Sequence, residues 1–362
     1  MEKISVKNFR VRSVMAPIKR PLATASGAIG VAPLVLLDLE TDVGVTGRSY
    51  VFPLTSMALK PTANLIQEML AVIKDDELAP LALEQKLQKR FRLLGLQGLV
   101  YVALSAIDMA AWDALAQAQD VPLVRLLGGE ILPIKAYNSC GLGIMGAEKV
   151  AKQAVEFLEH GFTAMKIRLG YPTAAEDVRV VRAVRKAVGD SITLMCDYNQ
   201  GLTPAEALVR GRALDDEGLH WIEEPIQADD YAGNALIARD VKTPIQIGEN
   251  FWGPHDMQKA LAAQACDYAM PDLMRIGGVS GWMRAAALAE SAGMPMSSHL
   301  FPEVSAHLLA VTPTRHWLEY VDWASPILAE PMQIKDGHGV IPNRPGNGIS
   351  WDETAVSKFA VM

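Results

Sequence analysis

Short apolar runs that alternate with helical patterns occupy the chain from residue 133 onward. Each run is long enough for one buried strand, and the runs lie at residues 134–139, 163–168, 192–196, 219–222, 245–248, 267–270, 294–298 and 316–319. Apolar residues recur at helical spacing between them, for example at 148–158, 174–187, 204–214 and 281–292. Strands that alternate with helices in this way predict an α/β fold with a parallel barrel over residues 131–325.

The first 130 residues have a different pattern, with strands first and helices afterwards. The predicted strands lie at 4–14, 34–39 and 43–47, and the predicted helices at 61–75, 83–93 and 99–119. We therefore expect an α+β module at residues 1–130 beside the barrel. Residues 326–362 lie beyond the last predicted barrel strand, and we expect them to pack back on this first module.

The segment between the first two predicted strands, at about residues 15–32, is small and glycine-bearing. Its centre, residues 21–30, has apolar positions at Leu22 and Ile29. The composition predicts a loop that can act as a mobile lid, and an apolar lid favours a substrate with an apolar side chain. An ordinary surface connection is the alternative interpretation.

Composition and charge exclude several classes of partner. Asp and Glu outnumber Lys and Arg by 41 to 34, and no stretch combines clustered basic residues with aromatic ones, so nucleic acid and anionic membranes are not expected partners. The three cysteines, Cys140, Cys196 and Cys266, lack a C-x-x-C spacing and predict reduced thiols in a cytoplasmic protein. We expect no membrane span, because no apolar stretch reaches about 18 residues.

Three acidic residues recur at the ends of successive predicted strands. Asp197, Glu223 and Glu249 follow one another at intervals of 26 residues, which is about the length of one βα unit. Their carboxylates therefore meet at one end of the barrel. Hard oxygen ligands without a nearby Cys or His suit Mg²⁺, with Mn²⁺ as the alternative cation. The competing interpretation is that each residue caps the helix that follows it.

Two cations lie at the end of the second predicted barrel strand. Side chains alternate along a strand, so Lys166 and Arg168 point to the same side while Ile167 points away. Both cations are then expected to face the barrel mouth. Solvated strand-end charges, or charges paired with carboxylates, are the alternative.

A carboxylate follows the sixth predicted strand, and a histidine follows the seventh. Asp272 precedes His299 by 27 residues, again about one βα unit. Neighbouring strands would place Asp272 against one ring nitrogen of His299, which fixes the tautomer and leaves the other nitrogen free to accept a proton. A histidine in the core or at a helix cap is the alternative. Glu319, at the last strand end, can contact a substrate if it is protonated.

Several motifs together resemble the enolase superfamily, in particular its mandelate racemase subgroup. They cover nearly the whole chain and lie at residues 106–113, 122–123, 197–200, 221–225, 248–250, 270–272 and 297–301. The resemblance implies a modified TIM barrel, (β/α)₇β, with an N-terminal α+β capping domain, and it suggests a symmetric homo-oligomer. It also implies Mg²⁺ on the three acidic residues and a base formed by His299 and Asp272.

The resemblance implies further contacts to a carboxylate substrate. Glu319 is expected to hydrogen-bond the substrate carboxylate, and Ser139, Lys166 and Asn199 are expected to contact its carboxylate or hydroxyl group. The lid matches the family's specificity loop. Its apolar residues Leu22 and Ile29, together with Leu54, favour a hydrophobic substituent on the substrate.

One position departs from the subgroup, whose second strand carries Lys-x-Lys with the second lysine as a base on the opposite face. This chain has Lys166-Ile167-Arg168. Supplying a neutral arginine costs roughly 3 to 5 kcal/mol more than supplying a neutral lysine. The leading hypothesis is a racemase for a 2-hydroxy acid with an apolar or aromatic group, which works through an enediolate.

Two other hypotheses stay open. An acid-sugar-type dehydratase can use His299 as its principal acid and base, with Arg168 as an electrostatic clamp. A barrel that binds a carboxylate without catalysis is the hypothesis from a different class.

Overall fold

The computed structural model describes residues 3–361, so the outermost ends of the expected modules, residues 1–2 and 362, lie outside the described residues. The N-terminal module begins with a three-stranded antiparallel sheet of order β1-β2-β3. Its strands are β1 Val6–Thr24, β2 Gly27–Thr41 and β3 Thr46–Val51. Four helices follow, α1 Ser56–Ile73, α2 Pro80–Phe91, α3 Leu99–Ala118 and α4 Leu123–Leu126.

The predicted loop at residues 15–32 is wrong, because β1 and β2 continue through it as a hairpin. Leu22 pairs with Ile29, and the chain turns between Thr24 and Gly27. The register shifts between Pro17 and Leu22. A strand at the edge of a sheet tolerates proline, since its outward N–H groups need no partner. The prolines and small residues of this segment are typical of a loop, so the sequence pattern did not predict the strand.

Helix α3 is the central helix of the capping module. By length and composition alone it is apolar enough to cross a membrane, but 83% of its most apolar stretch is buried inside the protein. There it packs against β3, α1 and the barrel helix Gly278–Ala292. Asp108 and Asp113 interrupt the apolar run, which is why the sequence showed no continuous one. Burial of this kind is typical of a core helix.

The barrel follows the predicted order of strands. Seven assigned strands are β4 Ile134–Asn138, β5 Ala164–Arg168, β6 Thr193–Asp197, β7 Ile222–Glu223, β8 Ile245–Ile247, β9 Tyr268–Ala269 and β10 Leu318–Tyr320. The predicted strand at 294–298 appears as single bridges, in which Met296 pairs with Ala269 on one side and with Arg315 on the other. Strand β10 pairs in parallel with β4 and so closes the ring. The predicted fold class, a (β/α)₇β barrel with an α+β cap, is confirmed.

Helices surround the strands, and short helices lie at the strand ends. They are α5 Ala147–Glu159, α6 Ala174–Val188, α7 Pro204–Leu214, α8 Tyr231–Asp240, α9 Pro254–Ala262, α10 Leu273–Ile276, α11 Gly278–Ala292 and α12 Pro302–Ala310. Helices α6 and α7 each begin with a capping box, in which a threonine and a glutamate satisfy each other's backbone N–H groups; the threonines are Thr173 and Thr203. The sequence thus defines where these helices start.

The capping module is fixed to the barrel by buried polar contacts. Asp108 on α3 accepts hydrogen bonds from the backbone N–H and the hydroxyl of Ser280 on α11, at 3.0 and 2.5 Å. Arg284 donates two bonds of 2.6 Å to Glu84. A side chain at Gly278, whose φ is +67°, would collide with Asp108. These contacts hold the cap in one position over the barrel mouth.

The C-terminal segment packs on both modules, so the expectation for residues 326–362 was only partly right. A 3₁₀ helix at Ser325–Ile327 leads to strands β11 Ile334–Lys335 and β12 His338–Gly339 and to helix α13 Glu353–Phe359. Strand β12 pairs with barrel strand β4. The end of the chain returns to the cap, where Ala360 bridges to Val14 and Trp351 donates to Asp38 at 2.7 Å. The module boundaries at 130 and 325 stay predictions.

Candidate active site

Three carboxylates meet at the mouth of the barrel. One oxygen each of Asp197, Glu223 and Glu249 lies within 4.8 Å of the others. The parallel register explains this, because Asp197 and Glu223 are direct partners on β6 and β7, and Glu249 follows β8. Burial raises the pKa of Glu223 to about 8. A set of three carboxylates with no nitrogen or sulfur donor is one that Mg²⁺ prefers, so the donor chemistry fits this cation.

Among the described residues, these three form the one cluster of acidic, His or Cys side chains that lie close enough together to hold a metal ion.

Lys166 lies beside this cluster, with only 1% of its surface exposed. Its amino group contacts Glu223 and lies 2.9 Å from Glu319 and 3.4 Å from Asp197. Burial acts to lower the pKa of Lys166, but the three negative charges outweigh burial and raise it above its ordinary value. Lys166 is therefore a cation in this arrangement. The prediction that it faces the barrel mouth holds geometrically.

Arg168 is held on the same side by hydrogen bonds to neighbouring strands. One terminal nitrogen donates to the Ser139 hydroxyl at 2.9 Å, and the other donates to the carbonyl oxygens of Ser139 and Lys166 at 3.3 and 3.4 Å. Its Nε lies 3.6 Å from an Asp197 oxygen and is buried without a hydrogen-bond partner among the described residues. The guanidinium is thus anchored, with one donor left over beside the cavity.

His299 and Asp272 form the expected pair. Asp272 Oδ2 lies 2.6 Å from His299 Nδ1, while Asp272 Oδ1 accepts the backbone N–H groups of Met274 and Arg275 at 2.7 and 3.1 Å. Asp272 is therefore the N-cap of α10 and cannot rotate freely. The other ring nitrogen, Nε2, lies 3.3 Å from a Glu249 oxygen. It faces the cavity.

The charge around His299 is strongly negative. Burial acts to lower its pKa, but Glu249, Glu319 and the bond to Asp272 outweigh burial and raise the pKa to about 10. The backbone immediately after the histidine is strained, because Leu300 and Phe301 have φ values of +50° and +48°. Non-glycine residues in this region occur most often at functional sites.

Glu319 lies in the site but not in the state expected from the sequence. Burial acts to raise its pKa, but the nearby charges of Lys166 and His299 and a backbone hydrogen bond lower it below its ordinary value. The Leu300 N–H donates to its Oε2 at 2.8 Å. Glu319 is therefore ionised rather than protonated, because it lies between cations and not in an apolar environment.

The two remaining polar candidates are both close to the cluster. Asn199 donates to Asp197 at 2.9 Å, and its side-chain oxygen is buried without a partner. Its φ of +45° is left-handed. Ser139 supplies its hydroxyl to Arg168. Asn199 thus has a free acceptor for a ligand, whereas Ser139 acts on a ligand through the position of Arg168.

A cavity of about 350 Å³ lies above these residues. The predicted apolar residues Leu22, Ile29 and Leu54 line one side of it. Phe52 and Trp323 also line the cavity, with ring centroids 5.2 Å apart in an edge-to-face arrangement. The cavity is therefore polar at the metal cluster and mixed at the hairpin, where Thr24 and Ser26 line it beside the apolar residues.

Sequence reasoning missed several cavity residues, among them Phe52, Trp323 and Arg275. Trp323 lies four residues after Glu319 and Arg275 lies three residues after Asp272, so each adjoins a residue that was found. Phe52 lies two positions before Leu54, which was expected to contact the substrate, and it had no distinguishing pattern. Arg275 donates to the Glu249 carbonyl at 2.8 Å, which helps to place that residue.

The tip of the β1–β2 hairpin rests on loops of the barrel. Ala23 accepts a hydrogen bond from Ile144 N at 2.8 Å, and the Ser26 hydroxyl donates to the Asn199 carbonyl oxygen. Ala25 fits against Gly170 and Gly201, where added Cβ atoms would lie only 2.8 and 2.5 Å from the Ala25 methyl group. The hairpin closes the cavity because these glycines leave room for it.

Comparisons with known proteins agree with the geometry. Residues 6–128 match the mandelate racemase/muconate lactonizing enzyme N-terminal domain, and residues 149–355 match the enolase C-terminal domain-like family. A structure of a Bradyrhizobium enolase complexed with magnesium and mandelic acid superimposes with a TM-score of 0.96. It is 44% identical, and the match covers 100% of both chains.

Two curated relatives have different activities. The L-talarate/galactarate dehydratase of Salmonella typhimurium LT2 is 35% identical over 264 residues, which are 72% of this chain and 66% of the relative. The 3,6-anhydro-alpha-L-galactonate cycloisomerase of Streptomyces coelicolor is 32% identical over 359 residues, which are 97% of this chain and 99% of the relative.

Proposed function

The chain belongs to the mandelate racemase/muconate lactonizing enzyme family of the enolase superfamily, and we propose that it is a dehydratase for a 2,3-dihydroxy carboxylate with an apolar distal group. The family assignment makes it an isomerase or hydro-lyase of this superfamily, and structures similar to it contain magnesium. The proposal concerns which of these reactions it performs and on what substrate.

One observation carries the proposal, which is that only one side of the cavity offers a base. Arg168 donates to three oxygens of Ser139 and Lys166, and a guanidinium has no lone pair to accept a proton. His299 on the other side directs Nε2 toward the cavity and has the Asp272 carboxylate behind Nδ1. A racemase needs a second base on the opposite face, whereas a dehydratase can use one residue twice.

The proposed reaction begins at His299. Its Nε2 takes the α-proton, and the electrons of the C–H bond move into the carboxylate to give an enediolate. The imidazolium then gives this proton to the β-hydroxyl, the C–O bond breaks, and water leaves. The enol that remains tautomerises to a 2-keto acid. Proton transfer of this kind by a positioned side chain contributes about 10² to 10⁴ in rate.

The other residues of the site stabilise the negative charge of the enediolate. Asp197, Glu223 and Glu249 would hold Mg²⁺, which would supply Lewis-acid stabilisation and would offset the Glu249 charge that raises the pKa of His299. Lys166 and the free Nε–H of Arg168 supply cationic donors in a buried site. Donors placed in this way contribute about 10² to 10³ each. Glu319 keeps Lys166 in place through their 2.9 Å ion pair.

The lining of the cavity supports the class of substrate. The carboxylate and its two hydroxyl groups belong at the cationic side, where Asn199 has a free acceptor for a hydroxyl. The distal group belongs against the apolar lining residues, which include Ile29 and Trp323. The apolar lining residues favour a distal group that is apolar over a long polyhydroxylated chain.

Incubation with Mg²⁺ and a panel of 2,3-dihydroxy acids in D₂O tests the proposal. We expect a 2-keto acid product, detected as its semicarbazone, and no product from His299→Asn. Substrate recovered before completion should contain deuterium only with retained configuration, because the proton returns from one face. Deuterium with inversion and no keto acid would contradict the proposal.

Racemisation of a 2-hydroxy acid with an apolar or aromatic group remains the second candidate. The apolar side of the cavity and the similarity to an enolase complexed with mandelic acid favour it. The same D₂O experiment with 2-hydroxy acids that lack a β-hydroxyl separates the two, since a racemase gives exchange with inversion. A barrel that only binds carboxylates would give no exchange with either panel.

A further inference from the structure

A directed chain of hydrogen bonds crosses the interior of the barrel below the metal cluster. It involves only side chains and a backbone group that are fully buried, and it ends on Glu223. It runs from the Trp317 backbone N–H through Ser297 and Gln246 to Glu223, and Trp221 is a second, separate donor to Glu223. None of them reaches the cavity, and the proposed reaction makes no use of them.

The two oxygens of Glu223 have different surroundings. Oε1 contacts Lys166 on the side of the metal cluster. Oε2 points down into the barrel, where it accepts from Trp221 Nε1 at 3.0 Å and from Gln246 Nε2 at 3.4 Å. Both donors are neutral. They therefore hold Oε2 in place without neutralising the negative charge with which Glu223 would bind a cation.

The direction of the chain follows from the chemistry of its ends. A carboxylate accepts only, so the Gln246 group that faces Glu223 is the NH₂ group and its Oε1 faces away. Ser297 Oγ lies 3.2 Å from that oxygen and donates to it. Ser297 in turn accepts the Trp317 backbone N–H at 3.4 Å. His316 Nδ1 lies 3.3 Å from the same hydroxyl and is a second acceptor for its proton, because His316 Nε2 donates to His220 Nε2, which also accepts from the Trp317 indole.

We propose that Gln246 and Trp221 are positioning residues for the metal ligand Glu223, and that Ser297 fixes the orientation of the Gln246 amide. The inference rests on the proposed role of Glu223 as a metal ligand. It goes further, because it assigns a role in cation affinity to residues of the barrel interior. Partners of this kind typically contribute 10- to 100-fold to metal affinity.

The test measures metal binding rather than activity. Metal-free protein is titrated with Mn²⁺, free Mn²⁺ is followed by electron paramagnetic resonance, and Mg²⁺ affinity is obtained by competition. We expect the Kd to rise about 10- to 100-fold in Gln246→Met and in Trp221→Phe, and several-fold in Ser297→Ala. Ser105→Ala is the matched control, because Ser105 is equally buried but bonds only within α3.

The outcomes separate the inference from the proposed function. If wild-type protein binds Mn²⁺ and Gln246→Met binds it within twofold, the inference is wrong and the ligand set stands. If wild-type protein binds no Mn²⁺, the ligand set fails and the inference fails with it. Thermal unfolding of the metal-free variants distinguishes a general loss of structure from a specific loss of affinity. If Gln246→Met does not fold, Ser297→Ala decides by the same comparison.

Discussion

Asp272 Oδ2 lies 2.6 Å from His299 Nδ1, while the second oxygen of the same carboxylate caps helix α10. One carboxylate thus fixes both a helix start and the tautomer of the proposed base. A carboxylate only accepts hydrogen bonds, so Nδ1 carries a proton, and Nε2 is the ring nitrogen that faces the cavity and exchanges a proton with a substrate in the proposed reaction.

Asp272→Asn should separate these two roles. The amide keeps an oxygen for the cap but places an NH₂ group against Nδ1, which moves the ring proton to Nε2 and removes the lone pair. We expect kcat to fall about 10²- to 10⁴-fold, the contribution of a general base, while the melting temperature changes little. Asp230→Asn is the control, because Asp230 caps the exposed start of α8 in the same way. Equal activity of the two variants would contradict the role of the pair.

Removal of the metal should abolish turnover. Dialysis against a chelator is expected to reduce the rate by at least about 10³-fold, because the α-proton of a carboxylate is too weakly acidic without a cation to stabilise the enediolate. Mg²⁺ or Mn²⁺ should restore activity in the wild type. Glu249→Gln should not recover at the same concentration, since it loses one of three charges. Glu217→Gln, which only breaks an exposed pair with Arg182, should recover fully.

The positions of the site residues were predictable because they depend on strand ends. Intervals of 26 and 27 residues follow the βα repeat, and strand ends of a parallel barrel converge, so Asp197, Glu223, Asp272 and His299 could be grouped without coordinates. The charge state of Glu319 was not predictable in this way. It depends on the distance to Lys166, which only the folded structure supplies.

The hairpin and the aromatic wall depend on contacts between distant parts of the chain. Prolines in β1 weaken its local strand propensity. The strand forms because it pairs with β2 along most of its length. Phe52 and Trp323 meet across 271 positions of sequence, in an arrangement that no period or motif encodes. Local patterns thus define the barrel and its chemistry, while tertiary packing determines which substrate fits.

Closure of the hairpin should depend on the absence of a side chain at Gly201. An added Cβ would lie 2.5 Å from the Ala25 methyl group, so Gly201→Ala is expected to displace the hairpin tip and raise KM about 10-fold, with a smaller effect on kcat. Gly30→Ala, in the same hairpin but with open space around it, should change neither.

A double variant checks that steric contact is the cause. Ala25→Gly removes the opposing methyl group, so Ala25→Gly combined with Gly201→Ala should return KM to within about twofold of the wild type. If KM stays high in the double variant, the loop after β6 and not the hairpin contact is responsible.

The last prediction concerns stability against pH and involves His307. Its side chain is fully buried on α12, and the Val124 N–H donates to its Nδ1 at 3.1 Å. Burial lowers its pKa to about 4. The unfolded chain therefore binds a proton at a higher pH than the folded chain does. Stability that is fully present above about pH 6.5 is lost as the pH falls toward 4.

Urea unfolding at pH 7.5 and pH 5.0 measures this effect. Between these two values a group shifted in this way contributes about 2 kcal/mol. His307→Asn keeps an acceptor for the Val124 N–H but does not titrate, so it should be less stable than the wild type at pH 7.5 because of the smaller side chain. Its further loss on acidification should be about 2 kcal/mol smaller. An equal loss in both proteins would mean that His307 becomes protonated without opening the structure.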